Sequence, residues 1–158
     1  MNIQKPNRIK HSYTQTIIAG PEKVFPLLCP VLEAEWVPGW NPELVISNSG
    51  VAEKDCVFIT PASPQNAIWV VTHHDPQNYT VEMLKITPGH TVCKLEIALH
   101  SDKSEETKAE VAYTYTSLGP EGDAFLKEFT VDWYRNFMEN WERAMNHYLS
   151  TGEMIAGE

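Results

Sequence analysis

The sequence is poor in positive charge and lacks any long apolar run. Its 158 residues include 12 lysines and arginines against 21 aspartates and glutamates, which gives a formal net charge of −9. This balance repels phosphate backbones, and no basic cluster offsets it, so we expect no nucleic-acid partner. No apolar run approaches the roughly 18 residues of a membrane span, and no apolar signal segment follows the N-terminal basic residues. We therefore predict a cytoplasmic protein without a membrane span.

Cysteine is also scarce. Cys29, Cys56 and Cys93 are odd in number and widely spaced, which fits neither a disulfide framework nor a CxxC metal site. We interpret them as buried thiols in a reducing compartment. We find little support in the sequence for nucleophilic catalysis by a thiolate.

The common catalytic and cofactor motifs are absent as well. The sequence contains no GxSxG, Walker A, dinucleotide fingerprint or HExxH pattern, and we predict no cofactor. His73, His74 and Asp75 are the nearest approach to a metal site. Adjacent strand residues point to opposite faces, and no third ligand follows at a recognisable spacing, so we predict no metal.

What the chain does contain is typical of one globular domain spanning residues 1–158. Hydrophobic residues make up 42% and charged residues 21%, and no repeat or flexible linker divides the sequence. Alternating segments separated by turn signals indicate an antiparallel meander without crossover helices. The predicted strands are 8–18, 44–47, 56–60, 68–74, 79–86, 92–100 and 109–118.

Two helical segments accompany these strands. Pro21 suits the first turn of a short helix over residues 21–28, which Pro26 limits to two turns or bends. A long periodic helix is predicted over residues 121–149. An apolar stripe rich in aromatic residues follows its 3.6-residue period and should lie on the sheet. Its aromatic members are Phe129, Trp133, Phe137, Trp141 and Tyr148, and the stripe is widened by Phe125, Tyr134, Met138 and Met145.

This order of elements resembles the START and birch-pollen-allergen (SRPBCC) superfamily, in its polyketide cyclase-like bacterial branch. The resemblance extends from the opening strand and A-G-P-E-K-V-F (19–25) through E-W-V-P-G-W (35–40) to Y-T-Y-T (113–116) and the final helix. It implies an α+β helix-grip fold, in which a curved seven-stranded antiparallel sheet wraps a long C-terminal helix and a short helical segment follows the first strand. Members of this superfamily differ widely in activity, so the fold does not select a function.

The resemblance also implies a cavity between the sheet and the long helix. Two tryptophans in the segment 35–40 would then line or cover that cavity, because rings this large are not left in water. Strand parity adds inner-face candidates, including the set Trp69, Val71 and His73. The predicted ligand-binding residues are Trp36, Trp40, Trp69, Met83, Tyr113, Phe129, Trp133 and Phe137. The alternative is a closed core that these aromatic rings fill completely.

Polar candidates for chemistry are few. His73 is the candidate general base, and Tyr113 or Tyr115 would donate a hydrogen bond to a carbonyl or enolate. Strand tyrosines chosen for β-propensity are the simpler reading. Glu33 and Glu35 flank the tryptophan segment and could serve as carboxylates at the rim of the cavity, but solvated loop charges are the expectation.

Three functions remain open at this point. The first is binding of a hydrophobic or aromatic small molecule without chemistry. The second is a polyketide cyclase/aromatase or dehydratase-like enzyme, and the third is a co-chaperone-like interaction module. Homodimerisation is left open too.

Overall fold

Seven antiparallel strands form one curved sheet in the computed structural model, which describes residues 1–102 and 105–157. The sheet order is β1-β7-β6-β5-β4-β3-β2, so the chain crosses from one edge to the other after β1 and returns by hairpins. The predicted helix-grip arrangement is confirmed. The strands are Arg8–Ile17 (β1), Leu44–Ile46 (β2), Val57–Thr60 (β3), Ala67–Asp75 (β4), Thr80–Thr87 (β5), Thr91–Ser101 (β6) and Thr107–Ser117 (β7).

The strands alternate between a buried inner face and an exposed outer face. In β1, Gln15 and Ile17 are buried while Ser12 and Thr14 are exposed, as the period of two predicts. Cross-strand pairing aligns inner-face residues into rows that cross the sheet. One of these, here called the inner row, spans every strand and consists of Ile9, Tyr115, Cys93, Lys85, Trp69, Phe58 and Val45.

The segment after β1 is more fragmented than predicted. A four-residue helix, Pro21–Val24 (α1), passes into a 3₁₀ turn, Phe25–Leu27, in place of one helix over residues 21–28. Pro26 has no N–H to donate to a preceding carbonyl, which explains the change of helix type. A second short helix, Glu33–Trp36 (α2), which the sequence analysis did not predict, begins the tryptophan segment.

The predicted helix over 121–149 is two helices, Pro120–Glu128 (α3) and Val131–Thr151 (α4). Thr130 starts the second one, because its hydroxyl accepts a hydrogen bond from the Trp133 backbone N–H at 3.1 Å. The 3.6-residue period continues through the break, which is why periodicity alone did not reveal it. Across the described ranges, no helix is long and apolar enough to cross a membrane.

Helix α4 packs on the sheet through residues predicted to widen the stripe, and not through the aromatic residues predicted at its centre. Tyr134 and Met138 are fully buried, whereas Trp133 and Phe137 remain 43% and 39% exposed. Two hydrogen bonds fix the helix on the sheet: Tyr134 Oη donates to the Val111 carbonyl (2.6 Å), and Gln15 Nε2 donates to the Met138 carbonyl (3.0 Å). In this orientation of α4, the two partly exposed rings of Trp133 and Phe137 lie at the border between the interior and the solvent.

Candidate functional site

A cavity of about 420 Å³ lies between the inner face of the sheet, helix α4 and the segment containing α2. Its presence argues against the closed core that the sequence left open as an alternative. The wall is mainly apolar and aromatic, as expected for a ligand pocket. Among the residues predicted from the sequence, those that line it are Trp40, Trp69, Met83, Tyr113, Tyr115, Trp133 and Phe137.

Aromatic pairs form two sides of this cavity. On the sheet side, Phe58 stacks on Trp69 with ring centroids 5.2 Å apart, and Trp40 meets the Trp69 ring edge-on at 6.0 Å. On the helix side, Trp133 stacks on Phe137 at 5.4 Å. Such offset and edge-to-face contacts hold the rings in defined orientations, so the wall is largely formed in advance of any ligand.

Two predicted wall residues, Trp36 and Phe129, support the site without lining it. Trp36 is fully buried, donates its indole N–H to the Leu27 carbonyl (3.1 Å) and packs on Trp141 at 5.4 Å. Phe129 is buried at the break between α3 and α4, 4.9 Å from the Tyr115 ring. Trp36 therefore anchors the tryptophan segment, while Trp40 is the ring that reaches the cavity.

Trp40 is held in place by its own loop. Its indole N–H donates to the Pro30 carbonyl at 2.8 Å, which orients the ring toward the sheet. Gly39 precedes it with φ of +77°, a backbone conformation that favours glycine. The Pro-Gly pair of the sequence thus forms the turn that carries Trp40 into the wall.

His73 lies on the outer face of the sheet, so its predicted face is wrong. The register of β4 shifts between Val71 and His73, and this bulge ends the parity that begins at Trp69. The His73 Nε2 atom instead forms a 2.8 Å hydrogen bond with Thr80 Oγ1 at the exposed surface. It borders a polar depression of about 730 Å³ on the outer face, larger than the cavity but lined by exposed charged groups.

His74, and not His73, points to the inner face of the sheet. Its ring packs against Phe25 with centroids 5.1 Å apart, and burial lowers the pKa of the imidazole. The two histidines therefore point to opposite sides of β4, as adjacent strand residues do. Within the described residues, no group of three His, Cys, Asp or Glu side chains is arranged to hold a metal ion.

The cysteines are free and buried, in agreement with their interpretation as inert thiols. Burial raises the pKa of Cys93 to about 12 and raises the pKa of Cys56 as well. A thiol with a raised pKa remains protonated and is a poor nucleophile at neutral pH.

Tyr113 and Tyr115 lie side by side on the inner face, with ring centroids 6.3 Å apart. Burial raises the pKa of both phenols far above the ordinary value, so both are hydrogen-bond donors at neutral pH. Tyr115 is engaged by a hydrogen bond with Cys93. The Tyr113 hydroxyl has no hydrogen-bond partner within residues 1–102 and 105–157, which leaves it free to bind a ligand atom.

The sequence analysis missed that Glu33 lines the cavity, because it placed a rim carboxylate below a solvated loop charge. Helix α2 directs its carboxyl into the cavity, and burial among apolar groups raises its pKa to about 8. The carboxyl is therefore mostly protonated at pH 7, which contradicts the expectation of a solvated loop charge. Glu35 matches that expectation better, because it lies at the surface, where its carboxylate accepts a 2.7 Å hydrogen bond from the Tyr148 hydroxyl.

Lys85 is the second missed residue. It belongs to the inner row, and its Nζ atom lies 5.2 Å from the centroid of the Trp69 ring. Burial lowers the pKa of this amine. Parity could have identified it, since Met83 was predicted to line the cavity and Lys85 is the next residue on that face of the strand.

Neither protein-family models nor curated protein sequences match this chain. Solved structures match over most of its length. Norcoclaurine synthase from Thalictrum flavum is similar with a TM-score of 0.67 and 11% identity over 92% of this chain and 88% of that one. Ara h 8.0201 has a TM-score of 0.62 and 14% identity, covering 92% and 99%. A START superfamily protein from Mycobacterium smegmatis has a TM-score of 0.62 and 11% identity, covering 89% and 97%.

Proposed function

We propose that this chain, which has the helix-grip fold of START and birch-pollen-allergen proteins, binds a hydrophobic or aromatic small molecule in its cavity. The observation that carries the proposal is the aromatic wall around an open volume of about 420 Å³. Ligand pockets span roughly 300–1,000 Å³ and combine apolar walls with a few placed polar groups. Here Glu33, Lys85 and Tyr113 supply the polar groups.

The exposed rings of Trp133 and Phe137 support the same function. Large apolar side chains lose free energy when they stay in water, yet these two are about two-fifths exposed beside the cavity. A flat apolar ligand would stack on them and remove that surface from solvent. The norcoclaurine synthase structure with dopamine and hydroxybenzaldehyde is a precedent for small molecules in a protein of this fold.

Binding can be tested with N-phenyl-1-naphthylamine, a neutral probe whose fluorescence rises in apolar surroundings. We expect saturable binding, and we expect Trp133→Ala to weaken it about 5-fold or more, because an aromatic stacking surface is lost. Val131→Ala is the matched control, since this exposed apolar residue lies on the same helix and does not line the cavity. The proposal would be wrong if the fluorescence showed no saturable binding. It would also be wrong if folded Trp133→Ala and Phe137→Ala variants bound the probe with the same affinity as the unmodified protein.

A cyclase-like or dehydratase-like enzyme is the second candidate, and Glu33 is the observation that favours it. A carboxyl with a pKa of about 8 can exchange a proton near neutral pH, and the Tyr113 phenol faces the same cavity. In this version Glu33 replaces His73 as the acid–base group. We expect Glu33→Gln to abolish cyclisation of a poly-β-keto thioester while His73→Ala retains it. Equal turnover by the Glu33→Gln variant and the unmodified protein would exclude this role.

A further inference from the structure

We propose that the cavity selects organic anions, and that the carboxylate of an aromatic or hydrophobic acid pairs with the ammonium group of Lys85. This inference rests on the proposed binding function and specifies the chemical class of its ligand.

Lys85 lies on the inner face of the sheet, in a cavity wall that is mainly apolar and aromatic. Its neighbours along the inner row are Trp69 and Cys93, and its face of the sheet is covered by helix α4. Lys94 provides the contrast on the adjacent strand. It lies on the outer face, where its ammonium is 3.5 Å from the Glu96 carboxylate.

The Lys85 ammonium has no carboxylate partner in the part of the chain that the structure describes. The Trp69 ring at 5.2 Å compensates its charge only in part, because a cation–π contact is weaker than a direct ion pair. Taking a charge out of water without a partner is costly. A ligand carboxylate would supply the missing partner.

Glu33 does not fill that role. It is the carboxyl-bearing residue of the cavity wall, but no ion pair joins it to Lys85. Burial raises the pKa of Glu33 to about 8, so at pH 7 its carboxyl is mostly protonated and does not balance the charge of an ammonium group. The interior is thus locally positive in a protein whose formal net charge is −9.

Each polar group named in the cavity wall offers a hydrogen-bond donor at neutral pH, and the phenol and the protonated carboxyl can also accept. The Tyr113 hydroxyl and the protonated Glu33 carboxyl can each donate a hydrogen bond, as can the Lys85 ammonium. A ligand that satisfies them must carry acceptor oxygens, and a carboxylate carries two. An amine ligand would place a second positive charge beside Lys85 and is disfavoured.

The test compares 2-naphthoate with 2-naphthamide, two ligands of the same shape that differ in charge. Each is used at pH 7 and low salt to displace N-phenyl-1-naphthylamine from the full chain. We expect 2-naphthoate to bind about 10-fold more tightly than 2-naphthamide, as a charge-assisted hydrogen bond would give. Lys85→Met should remove this preference, with affinity for 2-naphthamide changed less than about 3-fold.

Two further variants complete the design. Lys94→Met removes a lysine from the outer face of the same sheet and should leave both affinities unchanged. Lys85→Arg retains the positive charge and should retain the preference for 2-naphthoate. If Lys85→Met does not fold, the preference of the unmodified protein and its retention in Lys85→Arg still decide the question.

The outcomes separate this inference from the proposed function. Saturable probe binding with equal displacement by the two naphthyl ligands would overturn the anion inference and leave the binding function intact. A preference for 2-naphthoate that survives in a folded Lys85→Met variant would also overturn it. Failure of the fluorescent probe and both naphthyl ligands to bind would overturn the two proposals together.

Discussion

At the scale of single residues, the buried carboxyl of Glu33 links the cavity to the stability of the protein. Its pKa is about 8 in the folded chain against an ordinary value of 4.5, so the folded state binds the proton more tightly than the unfolded state. Stability contributed by this proton is present at low pH and is lost as the pH rises from about 5 to 8. A residue that helps to form the site therefore opposes folding at neutral pH.

We expect Glu33→Gln to be more stable than the unmodified protein at pH 8 and close to it at pH 5. The difference in the free energy of unfolding between Glu33→Gln and the unmodified protein should increase by about 2–4 kcal/mol from pH 5 to pH 8. We expect a value near the lower end of this range, because Glu33 keeps some contact with solvent. Urea denaturation at both pH values measures it. Glu35→Gln, at the surface of the same helix, should not change the pH dependence. An equal response of the two variants would contradict the burial of the Glu33 carboxyl.

At the scale of elements, the period of two placed Trp69, Met83 and Tyr113 on the inner face, where the structure has them. The same rule failed at His73, because a bulge adds one residue to β4 and reverses every side chain beyond it. The alternation of apolar and polar residues in the sequence of β4 gives no sign of this bulge. Lys85 was overlooked for another reason. Alternation along β5 correctly places it on the inner face, but a lysine is not expected there.

The helices show the same limit of local patterns. The aromatic period runs unbroken through Thr130, so the capping hydroxyl at the start of α4 was the only local signal of two helices. The break rotates α4, which buries Tyr134 and Met138 and exposes Trp133. Burial of Glu33 depends on tertiary cover from the sheet and α4, which no pattern near residue 33 records. The fold is thus predictable from periodicity, whereas the polar part of the site depends on packing.

At the scale of the whole molecule, the sheet and helices enclose one region that is packed and another that is open. Two leucines on the same face of β6 lie one in each region: Leu95 in the open region and Leu99 in the packed region. Both side chains are buried, but Leu95 lines the cavity whereas Leu99 lies outside its wall. Enlarging a side chain forces neighbours to move in a packed core, but an open cavity can accept the added atoms.

We therefore expect Leu99→Phe to lower the free energy of unfolding by about 1–3 kcal/mol and Leu95→Phe to change it by less than about 1 kcal/mol. Urea denaturation compares the two variants, which carry the same substitution on the same strand and face. Leu95→Phe should also weaken binding of N-phenyl-1-naphthylamine, because the new ring occupies space that the probe needs, while Leu99→Phe retains it. Equal destabilisation by both substitutions would mean that the interior is packed around Leu95 as tightly as around Leu99, and that no open cavity exists to receive a ligand.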